Sequence, residues 1–404
     1  MPDFLRDPSL DEMVRRLNQG VATPDEEHAE IEPDAGTPLP AATTLTSESD
    51  PLVRLLQQVV RRGGTDLLLV PGSPPVLRVG GRLVATDASP LDEEEVRSLF
   101  TPHLSGRLLQ QLQSEGAVDL PLRVAGSGER PWRFRVNLHR QRSGLAAAVR
   151  TLPREVPTLP GLSLPSSLAD LVRTSQGLLL VCGPAGSGKT TTLAALVGEI
   201  NRTRTCHIIT IEDPIEFEHP GGASLVEQVE VGADTPSFAT ALRSALRQDP
   251  DVIVVGEMRD LETISIALTA AETGHLVLST LHSHDVAHAI HRVVDVFPAE
   301  QQSQIRQQLA LSLHAIVCQH LLPRASGSGR IPAAEVLLAN PAVRQHIRRE
   351  RVQNLHQEVT LGKRLGMVTL EESLAGLVRR GLVALEEAQL RTAHQEELDA
   401  LLRT

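Results

Sequence analysis

The sequence predicts an α/β protein: a small α+β domain, then a larger and mostly parallel sheet, then a helical C-terminal region. Between residues 177 and 294, short apolar runs alternate with helical patterns, as they do where helices connect parallel strands. Between residues 66 and 152, short strands follow one another across Gly- and Pro-rich turns, which is typical of antiparallel pairing. At 404 residues, the chain is long enough for two or three domains.

Five segments follow from composition. Residues 1–50 are rich in Pro, Thr, Ser and acidic residues, which predicts a disordered N-terminal extension. Residues 51–152 form the small domain. Four prolines within 153–166 predict a stiff linker, residues 167–340 form the larger α/β domain, and residues 341–404 have a helical pattern. A short helix near residues 8–19 and a partner-docking role for this part of the chain are the alternatives to a solvated extension.

Periodicity places the individual elements. In the small domain, strands are predicted at residues 66–70, 76–79, 82–85, 118–124, 132–138 and 145–152, and helices at 52–62, 91–100 and 103–114. In the larger domain, strands are predicted at residues 178–182, 207–211, 224–229, 252–255 and 276–280, and helices at 189–200, 237–247, 261–272 and 285–294. A long helix over 298–320 and a hairpin over 319–324 and 330–338 complete the prediction.

The most informative motif is the segment Gly-Pro-Ala-Gly-Ser-Gly-Lys-Thr, which begins at Gly183. It fits the phosphate-loop pattern G-x-x-x-x-G-K-[ST] and lies between a predicted strand and a predicted helix, as this loop requires. Glycines let backbone N–H groups surround a phosphate, and lysine adds a compact charge. Lys189 is one of only two lysines in a chain that otherwise uses arginine. The residues predicted to bind a nucleoside triphosphate are Gly183, Pro184, Ala185, Gly186, Ser187, Gly188, Lys189, Thr190 and Thr191, with the Thr190 hydroxyl on Mg²⁺.

A carboxylate suited to Mg²⁺ follows another apolar strand. Residues 252–255 are all β-branched, and Gly256 and Glu257 come directly after them. Ligands of open α/β sheets bind at the carboxyl ends of the strands, so Glu257 is predicted to organise Mg²⁺ and the attacking water. The alternative is a solvent-exposed glutamate at the end of a strand.

A second acidic segment runs from Glu212 to Glu216, after the strand predicted at residues 207–211. We predict that this strand lies beside the one that enters the phosphate loop, which would let Glu212 face the γ-phosphate. Acidic loop residues without a catalytic role have the same pattern, so that alternative stays open.

Histidines are concentrated between residues 275 and 291. His282 follows the strand predicted at 276–280, which places it at the same sheet edge as Glu257, where a neutral imidazole could sense phosphate. His284, His288 and His291 have the i, i+4, i+7 spacing of one helix face. A metal site is one interpretation of that face, but no acid or cysteine closes it in this pattern, which favours a solvated or interface face.

Five blocks occur in a fixed order along the chain: GPAGSGKTTT at 183–192, TIEDPIEFEH at 210–219, RQDPDVIVVGEMRDLET at 247–263, TGHLVLSTLH at 273–282 and RVVDVFPAEQQ at 292–302. Together they resemble the ATPase superfamily of type II secretion and type IV pili, in which four such blocks are called Walker A, the Asp box, Walker B and the His box. The resemblance covers residues 51–375. It implies a RecA-like P-loop ATPase core preceded by a PAS-like domain.

The resemblance also implies the chemistry. ATP and Mg²⁺ are the expected cofactors, with Lys189 and Thr190 holding the phosphates and the ion. Glu257 and Glu212 share water activation and the organisation of Mg²⁺, and His282 reports the γ-phosphate.

A toroidal homo-hexamer is implied as well. In that assembly, arginines of the N-terminal domain complete a neighbouring site. Arginines are dense within residues 132–150, and we expect Arg135 and Arg150 to fill this role.

Within the superfamily, the chain resembles the retraction ATPases of type IV pili, which act in twitching motility through a platform protein of the inner membrane. It lacks the paired-cysteine insertion of extension and secretion ATPases, and its N-terminal part is one small domain. The segment 342–348, AVRQHIR, is similar to the retraction motif A-I-R-N-L-I-R-E, with departures at Val343, Gln345, His346 and Arg349. A pilus-extension ATPase, a type II secretion ATPase and a non-motor regulatory paralogue are the alternatives.

Composition limits the partners. A net charge of −11 and only seven aromatic residues, six Phe and one Trp, argue against a DNA-translocating motor, which would need basic grooves and stacking platforms. We expect no nucleic acid and no direct membrane insertion, because no apolar run reaches the roughly 18 residues of a membrane span. The N-terminus lacks a signal-peptide pattern and the three cysteines form no C-x-x-C pair, which favours a cytoplasmic protein at the periphery of the inner membrane.

Overall fold

The N-terminal strands build the first of two sheets. The computed structural model describes residues 43–47, 49–125, 130–327 and 329–403, which belong to one compact unit, Leu39–Thr404. The strands of the first sheet are β1 (Thr43–Leu45), β2 (Gly64–Leu69), β3 (Val76–Val79), β4 (Arg82–Ala85), β5 (Ala117–Val124), β6 (Trp132–Gln141) and β7 (Gly144–Thr151). They lie in the order β1-β5-β6-β7-β2-β3-β4, and every neighbouring pair is antiparallel except β1 with β5.

Three helices pack against this sheet: α1 (Pro51–Arg61), α2 (Glu93–Phe100) and α3 (Gly106–Glu115). Burial alternates along β5 and β6, so one face of each strand joins an apolar core that includes Leu120, Leu122 and Phe134. Alternation with a period of two is what the pleat of a half-buried strand imposes.

The prediction that residues 1–50 form a disordered extension is wrong at Thr43–Leu45. These residues pair in parallel with Leu122–Val124 of β5, and the Leu45 side chain is buried. The composition of residues 1–50 does not reveal this strand, because Thr43, Thr44 and Leu45 are only three residues. They form a strand because the edge of β5 is open to pairing. Residues 1–42, including the alternative helix at 8–19, lie outside the described residues.

The second sheet holds the predicted alternation of strands and helices. Its strands are β8 (Gly177–Cys182), β9 (His207–Glu212), β10 (Leu225–Glu230), β11 (Val252–Val255), β12 (Leu276–Leu281), β13 (Leu313–Pro323) and β14 (Arg330–Leu338). The order is β10-β9-β11-β12-β8-β13-β14, parallel throughout except for the β13–β14 hairpin. Every residue of β8, β11 and β12 is buried, as expected where helices cover both faces of a sheet.

The helices of this part are α4 (Leu168–Leu171), α5 (Lys189–Thr203), α6 (Phe238–Ala245), α7 (Leu261–Glu272), α8 (Val286–Val294) and α9 (Ala299–Ser312). After the hairpin come α10 (Pro341–Arg348), α11 (Leu355–Leu361), α12 (Leu370–Arg379), α13 (Leu385–Gln389) and α14 (Gln395–Arg403). Separate apolar cores lie on the two faces of the sheet, and a further one lies under the C-terminal helices. The predicted α/β fold class is therefore confirmed.

The predicted helix over residues 298–320 is wrong after residue 312. Helix α9 ends at Ser312, and Leu313–Pro323 forms a strand between β8 and β14. The run Leu-His-Ala-Ile-Val-Cys after residue 312 is apolar without a clear period, so sequence alone does not separate a buried strand from a buried helix. Residues 313–323 form a strand because they pair with the open edge of β8. Strand β13 consequently lies next to the phosphate loop.

The helix with the altered retraction motif, α10, is fixed through Arg344. Its guanidinium donates to the Ala339 carbonyl at 2.9 Å and to the carbonyls of Ala310 and Leu311 at the end of α9. Arg344, the first arginine of the motif, thus caps the end of a neighbouring helix in this chain.

Within the described residues, none of the helices combines the length and apolarity that crossing a bilayer requires. The three cysteines are free thiols, two of them buried. We keep 51–152, 153–166, 167–340 and 341–404 as proposed domain boundaries, since β7 ends at Thr151 and the second sheet begins at Gly177.

Candidate active site

The phosphate loop lies between β8 and α5. Gly183, Gly186 and Gly188 have φ angles of 147°, 73° and 91°, a region that favours glycine. A Cβ on Gly183 would lie 2.4 Å from the Gln319 carbonyl oxygen and from Ser187 Oγ. A Cβ on Gly188 would lie 2.8 Å from Gln319 Nε2. Both glycines are therefore required by conformation and by space.

Lys189 begins α5, and its ammonium turns back into the loop. Nζ donates to the carbonyls of Gly183 and Pro184, both at 3.0 Å. The residue is only 7% exposed, and burial lowers the pKa of its amine. Thr190 and Thr191 follow and are half-buried. The loop thus holds one desolvated cation at its centre, ready for an anionic ligand.

Glu257 and His282 meet beside this lysine. His282 Nδ1 lies 3.4 Å from Lys189 Nζ, and His282 Nε2 lies 3.9 Å from Glu257 Oε2. Arg259 Nε contacts Glu257 Oε1 at 2.7 Å. Burial, and then the charge of Lys189, lower the pKa of His282, which favours the neutral imidazole near pH 7. The structure therefore brings together three of the predicted residues: Lys189, Glu257 and His282.

Glu212 lies at the same edge of the sheet, but its side chain contacts different residues. The prediction that its strand neighbours β8 is wrong, because β11 and β12 lie between β9 and β8. Glu212 Oε1 accepts hydrogen bonds from Thr210 Oγ1 at 2.7 Å and from Gln228 Nε2 at 3.2 Å. Burial raises the pKa of its carboxyl group. The residues that precede Glu212 and Glu257 are joined through the backbone, since the Gly256 N–H donates to the Ile211 carbonyl at 2.8 Å.

The predicted arginines lie across from one another on β6 and β7, where Arg135 is paired with Arg150 in register. Arg135 lies 3.7 Å from Asp119, and Arg150 lies 3.0 Å from Asp66. Burial raises the pKa of Glu216 in the Asp-box segment, and the charges of Arg150 and Arg135 partly offset this rise. Both guanidinium groups therefore act electrostatically on the Asp box of their own chain.

Arg133, two residues before Arg135, belongs to the arginine-dense stretch, but sequence reasoning gave it no role. Its guanidinium donates to the carbonyls of Ile215 and Glu216 in the Asp-box segment and to that of Pro153 at 3.3 Å. Burial lowers its pKa, while Glu218, 3.7 Å away, raises it. A cavity of about 610 Å³ is lined by this arginine, by β5 and β6, and by residues 213–215. Arg133 thus fixes the Asp box to the first sheet.

Gln319 of β13 was also missed: the helix predicted over 298–320 and the hairpin predicted from residue 319 overlap at this position, and neither placed its amide at the phosphate loop. It is 3% exposed, accepts from Thr192 Oγ1 at 2.7 Å and donates from Nε2 to the Ser187 carbonyl at 2.6 Å. The only available signal was one amide within an apolar run. Gln319 holds the loop and the first turn of α5 to the neighbouring strand.

We expect Gln319→Leu to lower thermal stability and to weaken ATP binding. A buried hydroxyl and a buried carbonyl would lose their partner, at a cost of about 1–3 kcal/mol for each unsatisfied group. Thermal unfolding and a fluorescent-nucleotide titration measure the two effects. Gln304→Leu, at an exposed position of α9, is the matched control and should change neither. Unaltered nucleotide affinity in the Gln319 variant would contradict a role in shaping the loop.

Fold and site together define a P-loop ATPase: a glycine loop with a buried lysine at the carboxyl edge of a parallel sheet, beside a carboxylate and a neutral imidazole. Residues 161–400 match the family of type II/IV secretion system proteins. The chain belongs to this family.

Curated relatives agree with this assignment. The chain is 43% identical over 338 residues to the "Type IV pilus retractation ATPase PilT" of Pseudomonas aeruginosa, which covers 84% of this chain and 97% of that protein. It is 44% identical over 324 residues to the "Twitching motility protein" of Neisseria gonorrhoeae, covering 80% of this chain and 86% of the relative.

Solved structures show the same likeness. The crystal structure of the pilus retraction motor PilT with bound ADP has a TM-score of 0.79 at 43% identity, covering 86% of this chain and 98% of that one. The X-ray structure of the Legionella pneumophila ATPase DotB has a TM-score of 0.74 at 26% identity, covering 86% and 98%. The chain is a nucleotide-binding ATPase of this family.

Proposed function

We propose that the chain is a hexameric ATPase motor that couples ATP hydrolysis to the retraction of type IV pili. The observation that carries the proposal is the constellation of Lys189, Glu257 and His282, in a chain 43% identical over most of its length to PilT. It acts in twitching motility through a platform protein of the inner membrane, on the cytoplasmic side.

In this proposal the phosphate loop binds the ATP phosphates through its backbone N–H groups and Lys189. Ser187 Oγ is buried and has no hydrogen-bond partner among the described residues, so the loop leaves a hydroxyl available for a phosphate oxygen. The Thr190 hydroxyl and the Glu257 carboxylate are hard oxygen donors of the kind that Mg²⁺ prefers. When bound, Mg²⁺ supplies charge neutralisation on the phosphate oxygens.

The remaining residues position water and sense phosphate. Glu257, held by Arg259 at 2.7 Å, accepts a proton from water or orients it for attack. Glu212, whose pKa is raised by burial, supports this edge through Thr210 and Gln228. His282 stays neutral and offers an N–H to phosphate when Lys189 leaves it for the ligand. Proton acceptance is thus assigned to Glu257 and phosphate sensing to His282.

Two arginines of the first sheet are the residues that we assign to contacts between subunits. The side chains of Arg135 and Arg150 are 44% and 72% exposed, so both remain accessible to a neighbouring subunit despite their acidic partners. We propose that they complete the site of an adjacent subunit in a ring, where they stabilise charge that develops on the transferred phosphoryl group.

We expect Arg135→Ala to lower the ATPase rate by about 10³-fold at concentrations where wild-type rings form. The measurement is ATPase rate per subunit against protein concentration, with size analysis of the same samples. The wild-type rate should rise as rings assemble. Arg140→Ala, an exposed arginine farther along β6, is the control and should behave like wild type. A wild-type rate that is independent of assembly would rule out sites shared between subunits.

The direction of work is tested in the organism of origin by deleting the gene and complementing it with wild type or Glu257→Gln. Retraction predicts that the deletion strain keeps or accumulates surface pili and loses twitching, and that only the wild type restores it. Loss of surface pili would identify an extension ATPase instead, and a secretion defect with normal pili would identify a secretion ATPase. No change in piliation, twitching or secretion would favour a regulatory paralogue.

A further inference from the structure

The residues that follow His282 in the chain include a cluster of two histidines and one aspartate that the ATPase mechanism does not use. His284 and Asp285 precede α8, and His288 lies in its first turn. One potential ligand atom from each of the three residues lies within 4.8 Å of the other two. His284 and His288 are exposed and Asp285 is half-buried, so the cluster faces solvent.

The local backbone explains why these side chains meet. Asp285 is the N-cap of α8: its Oδ1 accepts from the His288 N–H at 2.8 Å, and its Oδ2 lies 2.7 Å from His288 Nδ1. The two imidazole rings have centroids 4.4 Å apart and an interplanar angle of 46°. His320 Nε2 lies 3.0 Å from the His284 carbonyl oxygen and fixes the backbone before the helix. The cap and this contact hold all three donors on one side of the helix start.

Two corrections to the sequence interpretation follow. His284 lies before α8, not on a shared helix face with His288 and His291, and His291 is outside the cluster. The expectation that no acid closes a histidine site was wrong, because Asp285 supplies a carboxylate oxygen within 4.8 Å of a ring nitrogen of each imidazole. The spacing of the histidines did not reveal this acid, because Asp285 is the N-cap residue of α8 and lies outside the helical repeat.

We propose that His284, Asp285 and His288 form a binding site for one transition-metal ion of the Zn²⁺ class. Two imidazole nitrogens and one carboxylate oxygen are a ligand set typical of Zn²⁺ and Co²⁺. At metal–ligand bonds of about 2.0–2.1 Å, tetrahedral ligands lie roughly 3.4 Å apart, so the observed spread requires only small side-chain rotations. The ion displaces into water the proton held between Asp285 Oδ2 and His288 Nδ1, and its remaining coordination position faces water.

A second cluster, formed by His356, Glu371 and Glu397, is already satisfied internally. Glu397 contacts His356 Nε2 at 2.7 Å and accepts from Thr369 Oγ1 at 3.2 Å. Glu371 accepts from Thr392 Oγ1 at 2.7 Å. These contacts bind the C-terminal helices to one another. In the first cluster, by contrast, the His284 ring has no hydrogen-bond partner among the described residues.

The test is calorimetric titration of the full chain with Zn²⁺, without nucleotide, after treatment with a chelator and removal of any affinity tag. Co²⁺ absorption spectra on the same samples report the ligand environment. We expect one ion per chain. Replacement of a group that merely supports a metal ligand costs about 10- to 100-fold in affinity, so His284→Asn and Asp285→Asn should each weaken binding at least tenfold.

The variants are chosen so that folding is not at issue. Asparagine is as good an N-cap as aspartate, so Asp285→Asn keeps α8 while it removes the charged ligand. His291→Asn, an exposed histidine of the same helix, is the matched control and should bind like wild type. The proposal is overturned if wild type binds no Zn²⁺, if the variants bind as tightly as wild type, or if His291→Asn loses as much affinity as they do.

Discussion

Glu257→Gln is expected to bind ATP and to lose hydrolysis, with kcat reduced by about 10²- to 10⁴-fold, the usual range for removal of a general base. Glutamine preserves the shape of the side chain and its contact with Arg259, but it cannot accept a proton from water. Because Glu257 lies beside Lys189 and His282 at the loop, the loss should appear in kcat with little change in nucleotide affinity.

Steady-state ATPase assays and a nucleotide-binding titration separate those two quantities. Glu262→Gln serves as the control, since Glu262 is an exposed glutamate of α7 that pairs with Arg243. A Glu257 variant that turns over ATP near the wild-type rate would remove this residue from the mechanism and transfer the role to Glu212.

Lys189→Ala is expected to weaken ATP binding by at least about tenfold and to leave no measurable turnover. A hydrogen bond to a charged group contributes about 1.5–3 kcal/mol, and the buried ammonium of Lys189 makes more than one such contact in the loop. Lys189→Arg should fail to restore activity, because Gly183, Pro184 and His282 leave no space for a planar guanidinium.

The chain provides its own control in Lys363, which pairs with Glu372 on the surface of the C-terminal helices. Lys363→Ala should retain wild-type binding and turnover. Fluorescent-nucleotide titration and ATPase assays on the three variants decide the outcome, and an active Lys189→Arg enzyme would show that the loop needs only a positive charge.

The local sequence pattern was sufficient to locate the residues at the centre of the candidate site. The apolar strands before Gly183 and Glu257 are buried on both faces, so their sequences are continuous and their ends are easy to locate. His282 was placed correctly by the same reasoning, since it follows a strand of that kind.

The order of strands in a sheet is not contained in such patterns. For this reason the strand that ends at Glu212 was placed beside the wrong strand, and residues 313–318, the first part of the strand that carries Gln319, were taken for a helix. The role of Arg133 was missed because an arginine that donates to backbone carbonyls of a distant loop has the same local sequence as a solvated one. These residues depend on contacts between segments far apart in the chain, and only the folded structure supplies those contacts.

Because nearly all of its basic side chains are arginines, this protein has very few side-chain amines that can react covalently. Reagents that acylate amines do not modify guanidinium groups under the same conditions, so the described part of the chain offers them two side chains. Lys363 lies at the surface with 45% of its side chain exposed, whereas Lys189 is enclosed by its own loop. Acylation at residue 189 therefore reports how often the loop opens, and the surface lysine supplies the reference within the same molecule.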